Sequence, residues 1–168
     1  MTALTVQEFN GLPVEQARQV LAQYCSSLAW AHRIADSRPY AGRRELLERA
    51  ESDFARLTDA ELVDALSAHP RIGEQPTGDG AEAAASRREQ AAVTDADDAV
   101  RRQLQSANRA YEQRFDRVFL IRAAGRGPEE ILAELHRRLD NDPDTERAEV
   151  LGQLGQITRL RLEEAIRT

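Results

Sequence analysis

The stretch AGRRELLERAESDFARLTDAELVDALSAHPRIG, Ala41 to Gly73, decides the fold class. Within Ala41 to Leu57, Leu46, Leu47, Ala50 and Phe54 recur at helical spacing and fall on one face, as a helix packed on a core requires. Thr58-Asp59-Ala60-Glu61 follows as a capping box, in which a threonine hydroxyl and a glutamate carboxylate satisfy free backbone donors at a helix start. Leu62, Val63 and Leu66 supply the apolar face of this next helix. It is expected to end near His69, because Pro70 biases the residue before it away from the α region. His69 therefore stands at a helix exit, at the mouth of a loop.

Helical signals continue in both directions. Upstream, Thr5 to Glu8 forms another capping box and Pro13 takes a first-turn position before Val14 to Tyr24, so two helices open the chain. Downstream, Arg71 to Gly80 contains three glycines and a further proline and reads as a loop, and helical character resumes near Ala81. Thr94 with Asp97 marks a fresh N-terminus for a long polar helix reaching Phe115. Gly125-Arg126-Gly127-Pro128 is the next break, before Ile131, Leu132, Leu135 and Leu139 trace an apolar stripe. Asn141-Asp142-Pro143 ends that helix, and the last runs from about Asp144 to Ile166. No period-two segment reaches strand length, Val118 to Ala123 being the one ambiguous piece. The expectation is all-α, a single compact multi-helix domain over residues 1–168.

A chain of 168 residues should bury about 70% of its unfolded surface, enough for a core and an internal pocket. The net charge of -6 opposes a phosphate-backbone binder, so no nucleic-acid partner is expected. Val118 to Ile121 is too short to span a bilayer and Met1 to Asn10 lacks the pattern of a secretory leader, so the expected partner is not a membrane and the expected location is cytoplasmic. Cys25 is the only cysteine and no lysine occurs. Lysine Schiff bases and a P-loop lysine are thereby excluded. His32, His69 and His136 form neither an H-x-H nor an H-E-x-x-H pattern, and no metal site is expected.

Three groups of residues are candidates for chemistry. His69, held by a stiff prolyl bond, is either a side chain presented to a ligand or a helix-terminal histidine meeting the dipole. Ser86, Glu89 and Gln90 share one side of a helix at steps of three and four, either gripping a small polar heterocycle or forming a solvated face. Arg87 and Arg88 between them read as exposed. On the last helix, Leu151, Leu154, Thr158, Arg161 and Ala165 form one stripe, which turns Arg161 to the core side and leaves Arg159 with Gln156, Gly152 and Glu163 in water. A buried guanidinium needs a partner, so Arg161 is either paired with a structural carboxylate or set to meet an anionic ligand.

In order along the chain, His69-Pro70-Arg71-Ile72-Gly73, Ser86-x-x-Glu89-Gln90, Asn108-x-x-Tyr111, Phe115 and Phe119-Leu120-Ile121 resemble the 2-oxo-4-hydroxy-4-carboxy-5-ureidoimidazoline (OHCU) decarboxylases, of bacterial type. Glu130-Ile131-Leu132, Arg138-Leu139, Asn141, Glu146 and Ile157-x-x-Leu160-Arg161-Leu162 continue the resemblance, which covers the chain from about Phe9. It implies an all-α domain that forms homodimers and a cofactor-independent decarboxylation giving (S)-allantoin in urate catabolism. Carried over by position, it implies His69 and Glu89 as catalytic residues. It implies Pro70, Ser86, Arg87, Arg88, Glu89, Gln90, Ile121, Arg122, Ala123, Ala124, Gly125 and Arg161 as the substrate-binding set. The chain departs from the family pattern at Ala92, Asp116, Arg117 and Arg122, which bears on pocket shape. A helical adaptor domain, or a decarboxylase of a related ureido acid, are the competing readings; a shared pocket holding His69, Glu89 and Arg161 separates enzyme from adaptor.

Overall fold

The computed structural model describes residues 3–74, 80–94 and 96–167, the side chain of Glu82 excepted. Helices α1 (Val6–Gly11), α2 (Val14–Ala22), α3 (Leu28–Asp36), α4 (Arg43–Ser52) and α5 (Asp59–Leu66) fill the first part of the chain. Then come α6 (Ala81–Glu89), α7 (Ala91–Thr94), α8 (Asp98–Phe115), α9 (Pro128–Leu139) and α10 (Pro143–Ala165). The fold is all-α. A parallel pair of two-residue strands, β1 (Leu4–Thr5) and β2 (Ile166–Arg167), ties the two ends of the chain together. It is too short to leave a periodic trace in sequence.

The helix starts are set locally. Thr5 with Glu8 and Thr58 with Glu61 form complete capping boxes on α1 and α5. Asp97 accepts from the Val100 amide to cap α8, and Asp142 accepts from the Asp144 and Thr145 amides to cap α10, with Pro143 in its first turn. Elsewhere packing shifts the expected limits. The helix expected over Ala41 to Leu57 stops at Ser52 and tightens into a 3-10 turn, Asp53–Arg56, that sets the Phe54 ring 5.2 Å from Trp30. Helix α5 ends at Leu66, not near His69, and buries Leu62, Ala65 and Leu66 while Val63 is exposed. Val63 lies two-thirds open because the buried face is centred on Ala65, away from it.

Two apolar clusters form the interior. The first gathers α1 to α5 around α10, with Trp30, Phe9, Leu21, Leu46 and Leu154 fully buried. The second joins α8 to α9 through Leu104, Tyr111, Ile131 and Leu135 and takes in Ile72 and Val93. The segment Val118–Ala123 runs between them, and its side chains alternate: Val118 and Leu120 go with the first cluster, Phe119, Ile121 and Ala123 with the second. That alternation belongs to extended backbone, although among the described residues the segment pairs with no strand.

Candidate active site

The two clusters meet at a cavity of about 20 Å³ lined by His69, Pro70, Ile72, Ser86, Glu89, Gln90, Phe119, Leu120, Ile121, Ala123 and Ile157. It draws walls from both clusters, Leu120 and Ile157 from one and Ile72, Phe119, Ile121 and Ala123 from the other. His69 reaches it from the turn after α5, where its amide donates to the Leu66 carbonyl at 3.0 Å. The side chain placed by the sequence at a helix exit and loop mouth is buried, with 9% of the residue exposed. The cause is non-local: Phe119–Ala123 and α6 close over it.

Helix α6 delivers the polar wall. Ser86 and Gln90 are buried, so this side of α6 is not the solvated face that an alanine-rich string permits. The Gln90 side-chain oxygen accepts from the Gly73 amide at 3.0 Å, pinning the loop that follows His69-Pro70. Gly73 has a φ of 85°, a left-handed conformation open to glycine at little cost. Below the loop, the Asn108 side chain donates to the Ile72 carbonyl at 3.1 Å.

Arg161 arrives from α10 on the core side of that helix, as its spacing predicts, with its side chain 3% exposed. Its Nε and Nη2 donate to the two Glu89 oxygens at 2.9 and 3.0 Å, Nη2 also reaches Ser86 Oγ at 3.1 Å, and Nη1 reaches the Tyr24 carbonyl at 3.2 Å. The carboxylate that pairs Arg161 is thus itself a cavity residue, which joins the two alternatives open at the level of sequence. Arg159, expected in water, is half-buried between Glu51 at 2.8 Å and Glu163 at 3.0 Å.

The Arg161–Glu89 pair is also a partition. On its far side lie a cavity of about 440 Å³, walled by Tyr24, Ala84, Ala85, Arg88, Arg161 and Glu164, and one of about 230 Å³, walled by Arg88, Glu89, Ala124, Leu160, Arg161 and Glu164. Arg88 is exposed and pairs with Glu164 at 2.9 Å on this outer side. Arg87 is exposed, and Arg122 and Gly125 line none of these three cavities. The Arg122 amide instead donates to Gln153 Oε1 at 2.7 Å, and Gly125, with φ 79°, sits in the turn where the Arg126 amide meets the Ala123 carbonyl. Phe119, Leu120, Ile72 and Ile157 complete the inner wall; as ordinary apolar residues they carry no signal in sequence that would mark them as lining.

Burial, and secondarily the Arg161 cation, push the His69 imidazole down to about 3, so it is neutral at physiological pH. An imidazole kept neutral by burial has the protonation state of a proton acceptor, and His69 shares this partly polar cavity with a carboxylate already engaged by a guanidinium. Among the described residues no three histidine, cysteine or acidic side chains converge to hold a metal ion, and no helix is long and apolar enough to cross a membrane.

The sequence model of the family described as OHCU decarboxylase matches residues 10–163. A 2-oxo-4-hydroxy-4-carboxy-5-ureidoimidazoline decarboxylase of Haloferax volcanii is 31% identical over 171 residues, covering 98% of this chain and 97% of its own. One from Amia calva is 29% identical, covering 97% of this chain and 95% of its own. Among solved structures, an OHCU decarboxylase crystallised in the presence of (S)-allantoin superposes with a TM-score of 0.73 at 25% identity, over 86% of this chain and 95% of that one.

Proposed function

The chain belongs to the OHCU decarboxylase family, and from that premise we infer that it removes carbon dioxide from 2-oxo-4-hydroxy-4-carboxy-5-ureidoimidazoline to give (S)-allantoin in urate breakdown. The observation that carries the reading into this chain is the seam between the two clusters, where His69 and Glu89 share a cavity and Arg161 grips Glu89. That the seam needs both clusters is the reason to read the chain as one functional domain.

The substrate carries its own electron sink. As the carbon–carboxylate bond breaks, its electron pair forms a double bond to the neighbouring ureido-bearing carbon, and that carbon's imine π pair moves to nitrogen, which takes a proton. The product of this step is an enol with an adjacent ene-amine. Loss of the enol hydroxyl proton and delivery of a proton to one face of the ureido-bearing carbon then gives one enantiomer of allantoin. We assign the proton at the hydroxyl to His69, which is neutral and able to accept it, with Glu89 orienting the same hydroxyl. His69 then returns a proton to carbon. Positioning and fixed dipoles supply most of the acceleration in such a site.

A cavity of about 20 Å³ holds about one water, far less than a ring bearing ureido and carboxylate groups. Entry therefore requires the Arg161–Glu89 partition to rearrange, merging the inner cavity with those beyond it. The substrate carboxylate is the natural competitor for the Arg161 fork, since guanidinium recognises carboxylate at two points. In this assignment Ser86 and Gln90 bound the ring on the α6 side and Pro70 holds the His69 turn. Ile121, Ala123 and Ala124 offer backbone, and Arg87, Arg88, Arg122 and Gly125 contribute from the surrounding surface.

The deciding experiment adds the protein to freshly oxidised and hydrolysed urate and follows circular dichroism. A rapid rise of optically active allantoin is expected; decay at the uncatalysed rate to racemic product would overturn the reading. Action in the cytoplasm as a homodimer is the accompanying proposal, resting on the resemblance and checked by sedimentation of the full chain.

A further inference from the structure

The backbone segment that walls the cavity is held from behind by two side chains that do not line it, Arg138 and Gln153. Arg138 Nη1 donates to the Leu120 carbonyl at 2.7 Å, and the Arg122 amide donates to Gln153 Oε1 at 2.7 Å. In an extended chain the polar groups of residues two apart point to the same edge, and those of the residues between them to the opposite edge. Side-chain alternation through Val118–Ala123 marks the segment as extended. Leu120 and Arg122 therefore share the edge taken by α9 and α10, while the Ile121 and Ala123 amides fall on the other. Both of these residues line the His69 cavity.

Arg138 is built for this task. It is fully buried, its Nε and Nη2 grip Glu146 at 3.0 and 2.5 Å, and its guanidinium lies 4.6 Å over the Phe119 ring. Glu146 is fixed in turn by the Tyr111 hydroxyl, which donates to it, and by Asn141 Nδ2 at 2.9 Å. A buried ion pair of this kind is weak evidence for stability, because apolar residues of the same volume often serve as well. What apolar residues cannot do is donate to a backbone carbonyl and fix a segment's rotation.

We propose that Arg138 and Gln153 are positioning residues that set the rotation of the Leu120–Ala123 backbone and so aim the Ile121 and Ala123 amides at the bound ring. This rests on the decarboxylase reading above. The test compares Gln153→Leu with Gln153→Glu, and both with Arg138→Lys, by stereospecific allantoin formation and thermal melting. Gln153 is only partly buried, so its variants are expected to fold. Gln153→Leu should raise KM about 3- to 10-fold, the equivalent of one hydrogen bond. It should also lower the enantiomeric excess, with Tm close to wild type. Gln153→Glu keeps an acceptor for the Arg122 amide and should restore both. Arg138→Lys keeps a cation for Glu146 but cannot also serve Leu120, and the same KM rise is expected; the Gln153 pair decides the matter if that chain fails to fold. Wild-type KM and enantiomeric purity in Gln153→Leu, or equal damage in the Leu and Glu variants, overturns the inference and leaves the decarboxylase reading standing. An inactive wild-type chain overturns that reading and this inference with it.

Discussion

Arg161 and Glu89, 72 residues apart in sequence, meet in a parallel two-point pair, Nε to Oε1 at 2.9 Å and Nη2 to Oε2 at 3.0 Å, at the wall between the His69 cavity and the larger space outside it. The guanidinium is almost completely shielded from solvent, while the carboxylate side chain stays 19% exposed. Two further acceptors, Ser86 Oγ and the Tyr24 carbonyl, take two of the three remaining N–H donors. The pair therefore joins α10, α6 and the turn after α2 while placing a cation next to His69.

Arg161→Lys keeps the charge and is expected to lose function. One ammonium cannot reproduce a planar fork that serves a carboxylate, a hydroxyl and a carbonyl together. A fall in kcat/KM of at least about 30-fold is expected, the rate equivalent of about 2 kcal/mol. Arg159→Ala is the control: its pairs with Glu51 and Glu163 are half-exposed and worth about 0–1 kcal/mol of stability. Its kcat/KM should stay near wild type, and the reverse ranking would show that the wrong arginine has been assigned.

Glu89→Gln preserves shape and removes the charge that Arg161 answers. Turnover should drop by about 10²- to 10⁴-fold, the usual range for an acid/base partner. A carboxylated heterocyclic analogue should nevertheless bind more tightly, since the Arg161 fork no longer has to give up a carboxylate to receive one. Calorimetry with that analogue and with allantoin, which has no carboxylate, separates the two effects. Equal affinity of wild type and variant for the carboxylated analogue would place the substrate carboxylate elsewhere.

Two glycines of α10, three residues apart, should respond oppositely to alanine. A Cβ on Gly155 would lie 3.0 Å from the Glu51 carbonyl oxygen and 3.2 Å from Glu51 Cγ, whereas nothing lies within 4 Å of one on Gly152. Helix α10 packs closely on α4 and the 3-10 turn through this contact. Gly155→Ala is expected to destabilise by about 1–3 kcal/mol through overpacking. Gly152→Ala, in an exposed helix interior, should stabilise by about 0.5–1 kcal/mol. Denaturant melts of the two variants check the signs.

What the sequence made legible was what neighbours along the chain decide. The boxes at Thr5–Glu8 and Thr58–Glu61 are closed by groups three residues apart, and the core side of α10 follows from the steps between Leu154, Thr158 and Arg161. What stayed hidden depends on segments meeting in space. Periodicity groups Val63 with Leu62 and Leu66, yet only the packing of α5 shows that its buried face is centred on Ala65 and leaves Val63 out. No local pattern pairs Arg161 with Glu89, or the Arg122 amide with Gln153. The burial of His69 has the same origin, because Phe119 to Ala123 arrives from fifty residues downstream to cover it.

The burial of His69 turns its role into a question of sign. Its imidazole is pushed from about 6.5 down to about 3, first by desolvation and then by the Arg161 cation. Between those two values the unfolded chain binds a proton that the folded chain refuses, so the contribution of His69 to stability is lost as pH falls below about 6.5 and levels off only near 3. His69→Asn has no such proton to bind. The variant should therefore gain on wild type by about 2 kcal/mol between pH 7 and pH 5, at up to about 1.4 kcal/mol per pH unit. A charged histidine stabilising the end of α5 would behave in the opposite way, helping the fold more as the solution is acidified. The chemistry follows the same distinction: a neutral His69 acts as the proton acceptor, and its loss should lower turnover about 10²- to 10⁴-fold while allantoin still binds. Melting curves of both proteins at pH 7 and pH 5, with stereospecific turnover at pH 7, decide the matter. A wild type that gains on His69→Asn in acid, together with near-normal formation of one allantoin enantiomer by the variant, would remove His69 from the proton path and leave Glu89 as its only occupant.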